Sequence, residues 1–218
     1  MTCQKSMFEW TLKQASNSDL INNIFVTDNT VDSAFDISVC KLHVIQNQAN
    51  IYVNPSWNQA MERVSSDYYI ICNDDILVSP YVYNIALKAL QDSSIGLVTF
   101  KTLLQGDITT YVDLVSTIDY KNTTYSTSVP DGRQGWIMAG RTKDWITIPE
   151  DIKIWFGDDF IYNTIKLRGM KTIISDYPVL HHQSTTLNHH PDKKEFDSII
   201  RHDRRAWQSI KHQLNSYI

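Results

Sequence analysis

Along the front half of the chain the apolar positions switch between two periods. Residues 6–16 place Met7, Trp10 and Leu12 at helical spacing and predict a short helix. Asn23-Ile-Phe-Val-Thr27 is a β-branched run that stops at Asp28-Asn29, a strand followed by a turn. Lys41–Ile45 predicts a second strand. Asn54-Pro55 opens a helix over 56–64, with the proline in the first turn, where its missing N–H costs nothing. Asp67-Tyr-Tyr-Ile-Ile-Cys72 is apolar on both faces, the pattern of a central strand in a parallel sheet, and it ends at Asn73-Asp74-Asp75. Residues 80–91 return to the helical period, and Gly96–Lys101 predicts a fourth strand.

The back half is less regular. Residues 108–130, rich in Thr, Ser, Tyr and Val, predict strands or a long excursion. A helix is expected from near Asp158 to Leu167, closed by Gly169, then strands at Thr172–Ile174 and Val179–His182 and a terminal helix from about Asp192 to Leu214. Strands alternating with helices predict an α/β fold with a mostly parallel central sheet flanked by helices. In such sheets ligands bind at the carboxyl ends of the strands, where Asp28-Asn29 and Asn73-Asp74-Asp75 both fall. No linker or repeat interrupts the pattern, so residues 1–218 are read as one domain.

Composition sharpens this in one respect. The seven glycines begin only at Gly96. Neither a G-x-G-x-x-G fingerprint nor a P-loop fits in the front half, so any nucleotide phosphate is gripped by other means. The net charge of −4 argues against a surface broadly adapted to nucleic acid. Cys3, Cys40 and Cys72 lack C-x-x-C spacing, and the last two lie in apolar runs; buried free thiols are expected. With no apolar run near the ~18 residues of a membrane span and no signal-peptide core at the N-terminus, a cytoplasmic protein is expected.

Four clusters bear chemistry. Asn73-Asp74-Asp75 suits a hard divalent cation, or is an Asx turn that ends a strand. Trp155-Phe-Gly-Asp158-Asp159 puts two carboxylates at a helix start, where the positive helix end favours their ionised, basic form. Asp158 is equally a helix cap; a second aspartate is harder to explain that way. Val179-Leu-His181-His182, followed by Ser184 and Thr186, suits a metal ligand or phosphate contact, or holds structural histidines; His189-His190 lacks the spacing of a structural zinc site. The last segment carries Lys193, Lys194, Arg201, Arg204, Arg205 and Lys211 against Glu195, Asp197 and Asp203, the solvated face of a helix or a contact for an anionic partner.

Taken in order, these pieces resemble the GT-A fold nucleotide-sugar glycosyltransferases of the family 2 type. Thr2-Cys-Gln-Lys5 resembles the T-x-N-R turn after the family's first strand, and Phe25-Val-Thr-Asp-Asn29 its V-V-D-N turn. Asn47–Ala60, with Asn50, Asn54, Trp57 and Asn58, resembles N-x-G-x-x-x-x-W-N-x-A, and Asn73-Asp74-Asp75 the D-x-D metal motif in an N-x-D form. Gly135-Trp136-Ile-Met-Ala-Gly140 resembles the segment entering the acceptor side, Gly157-Asp158-Asp159 the acidic pair that supplies the base, and His181 with Ser184 and Thr186 the late H-x-x-x-S/T element. The chain begins where the family has a complete first strand, so that part of the nucleotide floor is expected to be absent or replaced.

The resemblance implies a metal-dependent, inverting transfer of a sugar from a nucleotide-diphospho-sugar to an acceptor hydroxyl, on a glycan or on a hydroxymethylated base of viral DNA. It implies a donor-binding half (1–101) with Thr2, Asp28, Asn29, Asn50, Trp57, Asn58, Asn73 and Asp74, and an acceptor and catalytic half (102–190) with Gly135, Trp136 and Trp155. A C-terminal helix (191–218) follows. Asp159, or its neighbour Asp158, is the implied base, and Asp75 with His181 the implied ligands of Mn²⁺ or Mg²⁺. Two rival readings stand beside it: a nucleotidyltransferase using the same aspartate turn, and a catalytically weak protein of this fold that binds a sugar nucleotide or glycan.

Overall fold

The computed structural model describes residues 3–30, 36–103, 107–127, 135–181 and 193–215. Their elements are α1 (Cys3–Ser16), β1 (Ile24–Asp28), β2 (Leu42–Gln46), α2 (Val53–Met61), β3 (Tyr68–Cys72), β4 (Ile76–Leu77), α3 (Tyr81–Leu90), β5 (Ile95–Leu103), α4 (Ile108–Thr117), β6 (Tyr125–Ser126), β7 (Ile137–Arg141), α5 (Gly157–Leu167), β8 (Lys171–His181) and α6 (Lys193–Asn215). Single turns of 3₁₀-helix follow α4 and β7.

The main sheet has the order β3-β7-β5-β8-β4, with β6 added on β8. Leu97, Val98, Thr99 and Phe100 of β5 are fully buried, as expected of a strand covered on both faces. Side chains alternate across the sheet. Val98 and Phe100, with Ile137 and Ala139 of β7, meet α3, Tyr111 and Val115 of α4, and Met7 of α1. Leu97 and Met138 point the other way, against Ile165 of α5 and Trp207 of α6. The result is a mixed sheet between two layers of helices.

The sheet is less parallel than the alternation of strands and helices predicts. Among the described residues its one parallel ladder joins β5 to β8; β7 enters between β3 and β5 and runs antiparallel to both. Strand β3 therefore ends the sheet instead of occupying its centre. Its two apolar faces have another cause: Tyr69 and Ile71 pack with Met61 of α2, while Tyr68 and Ile70 lie against the opposite core. Strands β1 and β2 form a separate parallel pair.

Residues 108–117 are helical despite their β-branched content. The Asp107 carboxylate accepts from the Thr110 amide (2.8 Å) and hydroxyl (2.9 Å), an N-cap, and Tyr111 and Val115 are the buried i,i+4 pair. Among the described residues of this region only Tyr125–Ser126 is strand. The two late strands are one: β8 runs through a register shift at which Ser175 faces Phe100 and Pro178 faces Lys101. Gly169, with φ 73°, closes α5 as expected.

At the front, Cys3, Gln4 and Lys5 begin α1 and are not a turn after a strand. Thr11 of this helix donates to the Ile76 carbonyl (2.7 Å), so a helix packs where the resemblance led one to expect the end of a strand. Cys40 and Cys72 are unpaired but exposed: Cys40 lies in the turn before β2 and Cys72 is the last residue of β3. In α6 the stripe Phe196, Asp203 and Trp207 is buried, and Lys193, Lys194, Arg201, Arg204, Arg205 and Lys211 are exposed. Among the described residues no helix is long and apolar enough to cross a membrane.

Candidate functional site

The turn between β3 and β4 carries Asn73-Asp74-Asp75. Because Ile76 pairs with His181 in the β4–β8 ladder, the preceding Asp75 is carried to the end of β8, and its Oδ2 lies 3.3 Å from His181 Nε2. Both side chains are buried. Asp75 Oδ1 and His181 Nδ1 have no hydrogen-bond partner among the described residues. Trp136 stacks on the His181 ring at 4.6 Å and 26°. Water reaches Asp74, yet the enclosing protein, and after it the Asp75 charge, holds its carboxyl above its ordinary value. Among the described residues, no three His, Cys, Asp or Glu side chains form a closed metal cluster. An aspartate oxygen and an imidazole nitrogen that face one another at 3.3 Å, with the second carboxylate oxygen unmet beside them, fit a divalent cation that takes its remaining ligands from phosphate oxygens and water.

The same turn connects to the acidic pair. The Asn73 amide donates to the Trp136 carbonyl (3.0 Å). At Gly135, one residue back, an added Cβ would fall 2.6 Å from Asp158 Oδ2, so only glycine admits this contact. Asp158 and the buried Asp159 lie in the first turn of α5, and Asp158 Oδ1 accepts from the Asp159 amide (2.9 Å). Asp75, His181, Trp136, Gly135 and Asp158 are thus successive neighbours.

Helix α2 connects the β1 end. Asp28 is buried at the carboxyl end of β1; its Oδ1 accepts from the Thr30 amide (2.9 Å) and hydroxyl (2.6 Å), and its Oδ2 has no hydrogen-bond partner among the described residues. Asn29 donates to Ser56 Oγ (2.9 Å) and accepts from Asn47 (2.9 Å), fixing β1 to α2. At the other side of that helix end, Asn54 is 1% exposed and donates to the carbonyls of Ile152 and Trp155. A Cβ at Gly157 would sit 2.1 Å from Asn54 Oδ1.

Other candidates are engaged elsewhere. Asn58 clamps the Ile148 backbone through both amide atoms (2.8 and 3.0 Å). Trp57 packs between two apolar clusters, and exposed Asn50 accepts from the Tyr52 amide (2.9 Å) in a tight turn. Trp155 lies beside Phe196 of α6, with ring centroids 6.5 Å apart. Thr2, His182, Ser184, Thr186, His189 and His190 lie outside the described residues. The sequence pattern pointed to no role for Ser56 or Asp203, and to Asn54 only as a helix start and a motif position. Asp203 is fully buried and accepts from the Ile154 and Trp155 amides just before α5. Its signal was the stripe Phe196, Asp203, Trp207, spaced by seven and four.

No protein-family model matches the chain, and no curated protein matches it. Solved structures do: the chain has the GT-A fold of nucleotide-sugar glycosyltransferases. It is similar to S. aureus TarS 1–349 at 12% identity and TM-score 0.59, covering 93% of this chain and 68% of that one. The complex of the same fragment with UDP gives 13%, TM-score 0.59, and coverages of 91% and 67%. The mannosyltransferase PcManGT from Pyrobaculum calidifontis, in complex with GDP-Man and Mn²⁺, gives 13% and TM-score 0.57; the alignment covers 83% of this chain and only 54% of that enzyme.

Proposed function

We propose that this chain is a glycosyltransferase that moves a sugar, with inversion, from a nucleotide-diphospho-sugar to an acceptor hydroxyl. The reading rests on the succession Asp75, His181, Trp136, Gly135 and Asp158, which places a cation-competent pair beside an acidic pair at a helix start. The UDP and GDP-Man with Mn²⁺ held by structural neighbours support it.

Asp28 recognises the nucleoside, its buried Oδ2 accepting from a ribose hydroxyl or a base N–H. Asp75 and His181 hold a divalent cation, Mn²⁺ or Mg²⁺, which when bound neutralises the donor diphosphate. Asp159, in the first turn of α5 where the positive helix end favours a carboxylate, takes the acceptor hydroxyl proton as that oxygen attacks the anomeric carbon. The C–O bond to the diphosphate breaks on the opposite face, so the anomeric configuration inverts. Trp136 flanks the acceptor, which is a glycan or a hydroxymethylated DNA base, and the reaction belongs in the cytoplasm.

Release of nucleoside diphosphate from UDP- and GDP-sugars, measured with Mn²⁺ or Mg²⁺ and again with EDTA, tests this. Turnover with one donor class, abolished by EDTA, is the expected result. Donor binding without release under every condition overturns it in favour of a non-catalytic binder.

A further inference from the structure

Asp203 lies in the most basic element of the chain, yet its carboxylate is 0% exposed. One oxygen, Oδ2, accepts from the two consecutive amides of Ile154 (2.8 Å) and Trp155 (3.0 Å); the other, Oδ1, lies 3.6 Å from His202 Nδ1. A buried carboxylate is costly unless strong donors meet it, and two converging peptide N–H groups do so with charge-assisted bonds. These amides precede α5 in a segment without regular structure, where no ladder or helix satisfies them.

The next residue, Phe156, has φ 65°, a left-handed conformation that costs a non-glycine residue roughly 1–2 kcal/mol. Its ring stacks on Trp207 at 5.9 Å and 8°, one turn beyond Asp203 on the same face of α6, while Trp155 meets Phe196. Three positions of one helix stripe thus grip 154–156, and the chain then passes directly into Gly157-Asp158-Asp159.

We infer that Asp203 is a positioning residue for the acidic pair: by binding the Ile154 and Trp155 amides it fixes where α5 begins and hence where Asp159 stands. This rests on the glycosyl-transfer reading of Asp159, but the clamp itself can be tested without turnover.

The experiment compares wild type with Asp203→Ala and Asp203→Asn by amide hydrogen exchange over 152–160 and by donor-dependent kinetics. In Asp203→Ala, exchange accelerates within 152–160 while β5 and β8 keep their protection, and kcat falls by roughly a hundredfold, as an ångström-scale misplacement predicts. The donor KM stays within about twofold, because Asp28 and Asp75 lie on other elements. Asp203→Asn retains an oxygen that accepts from both amides and recovers most of kcat. Unchanged exchange in 152–160, or a kcat loss no larger than the fraction unfolded, overturns the proposal. If Asp203→Ala does not fold, Asp203→Asn and the protection of the Ile154 and Trp155 amides in wild type decide the question. If wild type turns over no donor, the transferase reading fails, and the exchange arm alone still upholds or rejects the clamp.

Discussion

His181 Nε2 stands 3.3 Å from Asp75 Oδ2 because their neighbours, Ile76 and His181 itself, are opposite one another in an antiparallel pair of strands. Residues separated by more than a hundred positions thus become a fixed two-atom claw. Asp75→Asn and His181→Ala are expected to raise the Mn²⁺ concentration for half-maximal turnover and to lower kcat by about 10²-fold at fixed metal, a loss of several kcal/mol. Metal titrations of nucleotide release check this, and an unaltered metal dependence in both variants would remove the pair from the site.

Asp159→Asn removes the proposed base without changing shape. Its kcat is expected to fall by about 10²-fold or more while donor KM stays within a small factor. Asp158→Asn is expected to cost less, since its amide oxygen still accepts from the Asp159 N–H. Steady-state kinetics on the two variants separates their roles; near-normal turnover in Asp159→Asn would transfer the base to Asp158.

Gly157→Ala drives a methyl group to 2.1 Å from Asn54 Oδ1, and α2 or α5 must shift. A destabilisation of about 2 kcal/mol is expected, read as a Tm drop of roughly 4–8 °C. Asn54→Ala in the same background should recover part of the Tm, because it clears the space. A double-mutant cycle by thermal melting measures that coupling.

Arg141, 9% exposed, donates to Asp144 Oδ2 (2.6 Å) and to the carbonyls of Leu90 (2.9 Å) and Ser93 (3.3 Å), joining β7 to the end of α3. Arg141→Ala strands these acceptors and is expected to cost about 3–5 kcal/mol. Arg141→Lys should recover only part, since an ammonium lacks the planar fork that reaches several acceptors at once. Denaturant midpoints give both values.

Periodicity located most helices and strands to within a few residues, because the faces of α2, α3, α5 and α6 are set by local sequence. It misread α4, where Thr and Val suggested strand; the Asp107–Thr110 spacing of an N-cap carried the contrary signal. Strand order was not legible at all. The place of β7 between β3 and β5 depends on chain far away in sequence, which no local pattern encodes. In the site, the aspartate turn and the Gly-Asp-Asp segment stood out by residue type. Asn58 looked like a ligand contact but serves the Ile148 backbone. Asp203 was hidden among basic neighbours, since its partners are main-chain amides that leave no mark in composition.

The separate pairing of β1 with β2 has a consequence for how such a protein diversifies. Among the described residues Asp28 stands on a small platform that shares no ladder with the strands flanking Asp75 and ending at His181, and α2 joins it to β3. On the proposed assignment of Asp28 to the nucleoside, substitutions on that platform retune which nucleobase is accepted while the reacting groups keep their spacing. Donor preference and bond-making chemistry are then modular traits, open to separate selection and to separate engineering.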